Sequence, residues 1–150
     1  MKKSIMLIAA LCMTSVMTFA QKVIRVSTDK TDLVMKVSPK GRLYQVYLGD
    51  KLLNPSDYDN LKWDVYAASD GSVCQRGHEV YATSGAEDFF EPAVAATHAD
   101  GNMTTYLYYK SSEQKAVEGG TETVITLQDK VYPFTVKLHY VAYAKENVIK

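Results

Sequence analysis

The carboxylates that could do chemistry are concentrated in residues 84–102. This stretch contains four carboxylates and one histidine: Glu87, Asp88, Glu91, Asp100 and His98. Glycosidases use paired carboxylates, so Asp88 and Glu91 suggest such a pair. Two residues three positions apart in an irregular loop have no fixed separation, and no apolar surroundings are visible that would raise the pKa of either. Spacing alone therefore predicts an exposed loop.

The loop is predicted to join Tyr81 to a strand over residues 93–98, with a turn at Gly85 and a stiffening Pro92. Its carboxylates have no basic neighbour in the sequence, and burying an unpaired charge is costly. We therefore expect residues 87–92 to be exposed, with Phe89 or Phe90 partly uncovered.

Other chemistry is poorly supported by the residue pattern. His78, His98 and His139 are scattered, whereas a metal site needs two to four converging ligands. Cys74 has no local signature of a nucleophile, so a buried inert thiol is the favoured interpretation. Phosphate-loop, dinucleotide-binding and nucleophile-elbow motifs do not occur in the sequence. The sequence predicts no metal and no other cofactor.

The first twenty residues have the pattern of a cleavable secretory signal. Lys2 and Lys3 precede an apolar run that is too short to span a membrane, and a small residue, Ala20, ends the segment. The alternative, a lipoprotein signal at Cys12, is disfavoured by the bulky Leu11 before it. We expect residues 1–20 to be removed, leaving residues 21–150 as one exported domain, periplasmic or extracellular.

Charge and cysteine usage limit the partners of this domain. The whole chain has 17 basic and 17 acidic residues, and the loss of two lysines with the signal leaves a small acidic excess. No block of like charge occurs, so neither nucleic acid nor a membrane is an expected partner. Cys74 would be the one cysteine left, which excludes an internal disulfide.

Alternation of apolar and polar residues with a period of two dominates the chain and predicts an all-β, antiparallel β-sandwich. Turn signals such as Pro39-Lys40-Gly41, Asp100-Gly101 and Gly119-Gly120 separate the strands, and Gly49-Asp50-Lys51 is a further candidate turn. The predicted strands are residues 33–37, 42–48, 103–110, 123–128 and 134–140. The alternation of apolar residues predicts that odd positions in 33–37 and 123–128 and even positions in 134–140 face the core. Weak helical signals cover residues 56–61 and 112–117.

The eleven tyrosines of the chain allow two interpretations. They could form a platform on which sugars stack, or they could be cross-strand packing residues with their hydroxyls at the sheet edges. Packing is favoured because aromatic residues are common in strands. At the end of the chain, residues 147–150 resume a strand-like pattern without a polar tail, which suggests a cut within a domain.

Several short motifs follow one another in a recognisable order. They are Gly85, Asp88-Phe89, Glu91-Pro92-Ala93, Asp100-Gly101, Leu107 and Tyr109, Leu127-Gln128-Asp129, and Val136-Lys137-Leu138-His139-Tyr140. This order resembles the N-terminal domain of α-galactosidases of glycoside hydrolase family 36. The hairpin over residues 40–52 also looks like that family's early strand pair, and the resemblance extends from about residue 33 to residue 149.

The resemblance implies a large β-sandwich that precedes a (β/α)8 barrel in a retaining hydrolase of terminal α-galactosides. It places both catalytic aspartates in that barrel, outside these 150 residues. It also implies a role of the domain in oligomerisation and a weak substrate contact through Asp88. Phe90 stands where the family's loop has arginine, and an aromatic ring cannot make the charge-assisted hydrogen bonds of a guanidinium group. Phe89 and Phe90 are therefore predicted to contact another domain or subunit.

Three functions remain as hypotheses. The favoured one is a truncated, non-catalytic N-terminal sandwich of an exported α-galactosidase, whose partners are the missing catalytic barrel and a second copy in a homo-oligomer. The alternative is a free-standing secreted β-sandwich that binds carbohydrate through exposed tyrosines. A small enzyme complete in 150 residues is the weakest, because no nucleophile and base can be named.

Overall fold

The computed structural model describes residues 22–62, 66–67, 73–74, 79–84 and 92–150. Within these ranges the chain forms strands that pair antiparallel and one short helix. The elements are β1 (Val23–Ser27), β2 (Thr31–Val37), β3 (Leu43–Asp50), α1 (Pro55–Asn60), β4 (Tyr66–Ala67), β5 (Val73–Cys74), β6 (Leu107–Val117), β7 (Gly120–Asp129), β8 (Thr135–Tyr143) and β9 (Val148–Ile149). The predicted signal segment lies outside the described residues.

The first sheet has the order β1-β2-β3, with β2 in the centre. The predicted alternation of β2 is correct for Leu33 and Met35, which point into the core. The opposite face of β2 is also buried, including Asp32 and Lys36, and the burial of Lys36 differs from the alternation predicted over residues 33–37. The reason is that both side chains find hydrogen-bond partners there. The Tyr58 hydroxyl of α1 donates to Asp32, and two carbonyl groups at the end of that helix accept from Lys36.

The second sheet has the order β6-β7-β8-β9, with a tight turn at Gly119 between β6 and β7. Ile125 and Leu127 of β7 are buried, as predicted from their odd positions. In β8 the even positions from Val136 to Tyr140 are half-buried while the odd positions are exposed, which also confirms the predicted alternation.

The helical prediction for residues 112–117 is wrong, because these residues form the second half of β6. Ser112 lies opposite Ile125 and Val117 lies opposite Gly120, so a long hairpin with β7 holds them extended. The helical prediction for residues 56–61 is confirmed by α1, which begins with Pro55 at a first-turn position where its missing N–H is harmless.

Three strand or turn boundaries also differ from prediction. Residues 92–98 alternate between half-buried and exposed, but they do not form the predicted strand. Within the described chain, the one β-bridge of this segment is parallel and joins Val94 to Thr83. β6 begins at Leu107, not at residue 103, because the amide of Tyr106 is bonded to the carboxylate of Asp129. Residues 49–50 continue β3 and do not form a turn.

The hydrophobic core lies between the two sheets and confirms the predicted antiparallel β-sandwich. Its buried members are Ile24, Val26, Leu33, Met35, Leu43, Leu107, Ile125, Leu127 and Ala142. Burial of each large aliphatic side chain contributes about 1.5–3 kcal/mol. The sheets are also joined by backbone, since the amide of Tyr109 donates to the carbonyl of Gly41 at 2.8 Å. No helix in the described ranges is long and apolar enough to span a membrane.

Candidate functional site

The residues that the sequence singled out, Asp88, Phe89 and Phe90, lie outside the described residues. The structure does describe the two chain segments that flank them. Thr83 donates its hydroxyl to the carbonyl of Thr105, and the amide of Ala93 donates to the carbonyl of Ala82 at 2.8 Å. The predicted loop therefore starts and ends beside the segment that leads into β6.

Asp129 organises this end of the sandwich. Its carboxylate accepts hydrogen bonds from the amides of Val131 (2.7 Å), Tyr132 (3.0 Å) and Tyr106 (2.7 Å). Burial is the largest single influence on the pKa of Asp129 and raises it, but the three amides together outweigh burial and lower the pKa below its usual value. Asp129 is thus a structural anchor for two loops and is held ionised.

His98 packs beside this anchor and has a structural role as well. Its ring stacks on Tyr132, with centroids 3.5 Å apart and planes 5° from parallel, and Nε2 lies 3.0 Å from the Thr105 hydroxyl. Tyr132 in turn donates its hydroxyl to Asp100 at 2.9 Å. Within the part of the chain that the structure describes, no group of three His, Cys, Asp or Glu residues could hold a metal ion.

A second polar cluster is buried under α1. Asp32 accepts hydrogen bonds from the Tyr58 hydroxyl at 2.6 Å and from the amide of Leu52 at 2.9 Å. Lys36, 1% exposed, donates from Nζ to the carbonyl of Leu61 at 2.6 Å and to that of Asp59 at 3.0 Å. Burial lowers the pKa of the Lys36 ammonium, and the negative charge of Asp59 partly opposes this. These groups attach the helix to β2 and are closed to substrate.

One open site of the described chain is a basic pocket of about 440 Å³ at the seam between the two sheets. One wall is the turn from Val37 to Gly41, and the other comes from β6 and the residue after β7. The lining residues are Lys22, Val37, Ser38, Pro39, Lys40, Gly41, Tyr108, Tyr109, Lys110 and Lys130. Four of them are lysines, and none is Asp or Glu.

Local backbone features explain how the basic pocket forms. Gly41 has a φ of +85°, a left-handed conformation that glycine adopts without strain, and its amide donates to the carbonyl of Ser38 at 2.8 Å. The β6 register shifts between Tyr109 and Ser111, so Lys110 has no opposite residue in β7. Such a bulge re-aims the side chains around it. The ammonium of Lys130 lies 3.9 Å from the centroid of the Tyr108 ring.

The basic pocket is lined by groups that suit the binding of an anion. Its polar side chains are lysine ammonium groups, tyrosine hydroxyls and the Ser38 hydroxyl, and the described lining holds no carboxylate pair, histidine or thiol. Sequence reasoning missed the basic pocket because Lys22, Lys40, Lys110 and Lys130 are far apart in the chain. The signal available in the sequence was the absence of nearby acids around Lys40 and Tyr108.

Solved structures of similar fold include α-galactosidases. The enzyme from Lactobacillus brevis has 20% identity and a TM-score of 0.67 over 87% of this chain. The family 36 enzymes AgaA and AgaB from Geobacillus stearothermophilus have 22% and 23% identity and TM-scores of 0.68 and 0.66, each over 85% of this chain. The matched region is 21%, 21% and 20% of those three chains, so this chain spans about a fifth of their length.

Sequence comparison gives the family assignment. Curated protein sequences gave no match. Residues 41–150, well over half of the chain, match the family described as the glycosyl hydrolase family 36 N-terminal domain. The match includes the turn at Gly41, all of β6 to β9 and the anchor Asp129. The chain therefore belongs to the family of glycosyl hydrolase family 36 N-terminal domains.

Proposed function

We propose that this chain is the non-catalytic N-terminal domain of an exported α-galactosidase, whose full-length form hydrolyses terminal α-galactosides with retention of configuration. The family match over residues 41–150 is the observation that carries the proposal. The fold agrees with solved α-galactosidases in which the corresponding region is about a fifth of the chain. The remaining four fifths leave room for a separate catalytic barrel.

The composition of the described surface supports a non-catalytic role. A retaining glycosidase needs two carboxyl groups about 5 Å apart across the sugar. Four described carboxylates have lowered pKa values, and each is bonded within the fold. Asp32, Asp100 and Asp129 accept hydrogen bonds from their neighbours, and Glu122 pairs with Lys115 and His139 on the sheet surface. The resemblance to family 36 assigns the acid and the nucleophile to the barrel, and the described carboxylates agree with that assignment.

Assembly is the role that we assign to the domain in the full-length enzyme. Phe89 and Phe90, two adjacent aromatic residues between acidic ones, are the proposed contact with the barrel or with a second subunit. Asp88 keeps the residue type of the family's loop and is retained as a weak substrate contact. The signal pattern of residues 1–20 supports export to the periplasm or the extracellular space.

The alternative, a free-standing carbohydrate-binding sandwich, depends on exposed tyrosines. Tyr44 is buried, at 4% exposure, whereas Tyr106 is 42% exposed and lies under the Arg42 guanidinium. Tyr44 thus serves in packing and Tyr106 as a cation–π partner, which favours the domain role over a tyrosine platform.

A pair of assays tests the proposal. The full-length protein should hydrolyse an aryl α-galactoside, and proton NMR should show α-galactose as the first product. The 150-residue chain alone should show no turnover. Turnover by the 150-residue chain that disappears in Asp88→Asn would contradict the non-catalytic role. Absence of α-galactosidase activity from the full-length protein, with activity on another glycoside, would contradict the substrate class.

Export is tested separately by N-terminal sequencing of the protein recovered from outside the cytoplasm. Cleavage after Ala20 should give a chain that begins with Gln21. A chain that retains Met1 in the cytoplasm would contradict export without affecting the proposed chemistry.

A further inference from the structure

We propose that the basic pocket at the seam of the sandwich binds an acidic oligosaccharide, that is, a sugar chain carrying carboxylate or sulfate groups. The binding would be separate from hydrolysis of α-galactosides. The one-sided charge of the basic pocket is the first argument, because four lysines surround about 440 Å³ and no acidic residue lines it.

The lysine ammonium groups are available for a ligand. Among the described residues, no carboxylate lies within ion-pair distance of Lys22, Lys40 or Lys110, and all three side chains are exposed. Lys130 is exposed as well and rests on the Tyr108 ring, 3.9 Å from its centroid. Four ammonium groups around one cavity create a positive local potential, which attracts an anion.

The shape of the basic pocket favours a small ligand with an apolar ring face. Its volume falls within the roughly 300–1,000 Å³ of small-molecule sites, which combine apolar or aromatic walls with a few polar groups. Its aromatic part comes from half-buried Tyr109 and from half-buried Tyr108, whose ring carries the Lys130 ammonium on one side, and Val37 and Pro39 add apolar surface. The C–H faces of sugar rings suit such walls, while the lysines suit the acidic groups along the ring edges.

Other anions fit the basic pocket less well. Lysine is depleted in protein–protein interfaces, so four lysines around one cavity argue against a permanent protein partner. Nucleic-acid binding domains carry a strong basic excess, whereas this chain has a net charge of zero. An acidic sugar satisfies both the cations and the aromatic walls.

The fold holds the basic pocket open before a ligand arrives. The amide of Tyr109 donates to the carbonyl of Gly41 at 2.8 Å, which fixes the distance between the two walls. The amide of Arg42 donates to the Ser38 hydroxyl at 3.1 Å and closes the turn that carries Lys40. A site that needs no rearrangement loses less affinity to ordering on binding.

Isothermal titration calorimetry of the full chain at low salt tests the proposal with four probes. They are tri-galacturonate, a sulfated galactotriose, neutral galactotriose and the peptide triglutamate. At least one acidic sugar should bind at least about tenfold more tightly than the neutral sugar and the peptide, and its affinity should fall with added salt. The two acidic probes distinguish carboxylate from sulfate recognition.

Matched lysine variants locate the binding. Lys40→Gln and Lys110→Gln should each weaken binding of the acidic sugar about fivefold, the effect of losing one exposed charge contact. Lys145→Gln, an exposed lysine in the turn between β8 and β9, should leave it unchanged. Lys40 lies in an exposed turn, so that variant should keep the wild-type melting temperature and remains informative if Lys110→Gln is destabilised.

Three outcomes would overturn the proposal. Equal affinity for triglutamate and the acidic sugars would make the basic pocket a docking site for an acidic protein segment. Equal weakening by Lys145→Gln would reduce the binding to general charge attraction. No measurable binding of either acidic sugar at millimolar concentration would exclude the site. None of these outcomes depends on α-galactosidase activity, so failure here and failure of the proposed function are distinguishable.

Discussion

The hydroxyl of Tyr58 in α1 donates a 2.6 Å hydrogen bond to the carboxylate of Asp32, which is fully buried in β2. Burial, the largest influence, raises the pKa of Asp32. Hydrogen bonds from Ser27, Tyr58 and Leu52, with the charge of Lys51, outweigh it and lower the pKa. Groups from β1, from the segment after β3 and from α1 together make a buried charge in the central strand tolerable.

Removal of that hydroxyl should destabilise the domain. Tyr58→Phe keeps the ring, 8% exposed, but takes a donor from a buried carboxylate. We expect a loss of about 1–3 kcal/mol in the free energy of unfolding, measured by urea denaturation. The matched control is Tyr47→Phe, whose hydroxyl bonds the carbonyl of Asp50 at an exposed position and should cost within about 0.5 kcal/mol. Equal losses in the two variants would contradict the role of the Asp32 bond.

Asp129 should make stability depend on pH. Its folded-state pKa is lower than the ordinary value of 3.8, so its contribution is complete above that value and is lost as pH falls through the folded-state pKa. Asp129→Asn should lower the free energy of unfolding at pH 7 by about 1.5–3 kcal/mol, because three amides lose a charged acceptor.

The difference between wild type and Asp129→Asn should then shrink as pH falls below 3.8. Denaturation at a series of pH values measures it, and Asp29→Asn, in the exposed turn after β1, is the control. A difference that stays constant down to pH 2 would show that Asp129 does not titrate with folding.

Gly120 is required for the approach of β8 to β7. A Cβ at this position would lie 2.3 Å from the backbone carbonyl oxygen of Ala142, and a strand backbone cannot move aside cheaply. Gly120→Ala should therefore lower the free energy of unfolding by about 3 kcal/mol or more, which is the upper end of the range for overpacked sites. Thermal denaturation measures the loss.

Gly101→Ala separates steric contact from backbone strain. Gly101 has a φ of +83°, but nothing lies within 4 Å of the added Cβ. The left-handed conformation alone should cost about 1–2 kcal/mol. A smaller loss for Gly120→Ala than for Gly101→Ala would mean that β8 is free to shift.

The strands were predictable wherever one face packs on the core, because burial imposes the alternation that the sequence shows. β7 and β8 follow this rule. The second half of β6 has no apolar alternation, since most of its side chains are exposed, and pairing with β7 decides its conformation. The burial of Lys36 was not predicted, because its partners, the carbonyls of Asp59 and Leu61, come more than twenty residues later in the chain.

The candidate site divides in a similar way. Family resemblance identified the domain, because several short motifs, each weak on its own, occur together in the order typical of the family. The basic pocket could not be predicted, since the β6 bulge and the turn at Gly41 bring its lysines together. Local sequence alone does not determine where the two sheets meet, even when the bulge and the turn are recognised.

The last prediction concerns Phe90. This residue lies outside the described residues, so the prediction rests on the sequence alone. The sequence predicts that this aromatic side chain, which lies among Glu87, Asp88 and Glu91, is exposed, and a partner that covers it would explain such a residue. In the full-length enzyme, Phe90→Ser should weaken subunit or domain association at least about tenfold, the loss of one buried aromatic anchor, while kcat on an aryl α-galactoside changes little. Analytical ultracentrifugation across a dilution series measures association.

The control for this experiment is Val131→Ser. The Val131 side chain is 81% exposed after β7, and its replacement should leave assembly unchanged. If Phe90→Ser leaves assembly intact and abolishes activity, the loop is a substrate-binding element and the docking hypothesis is wrong.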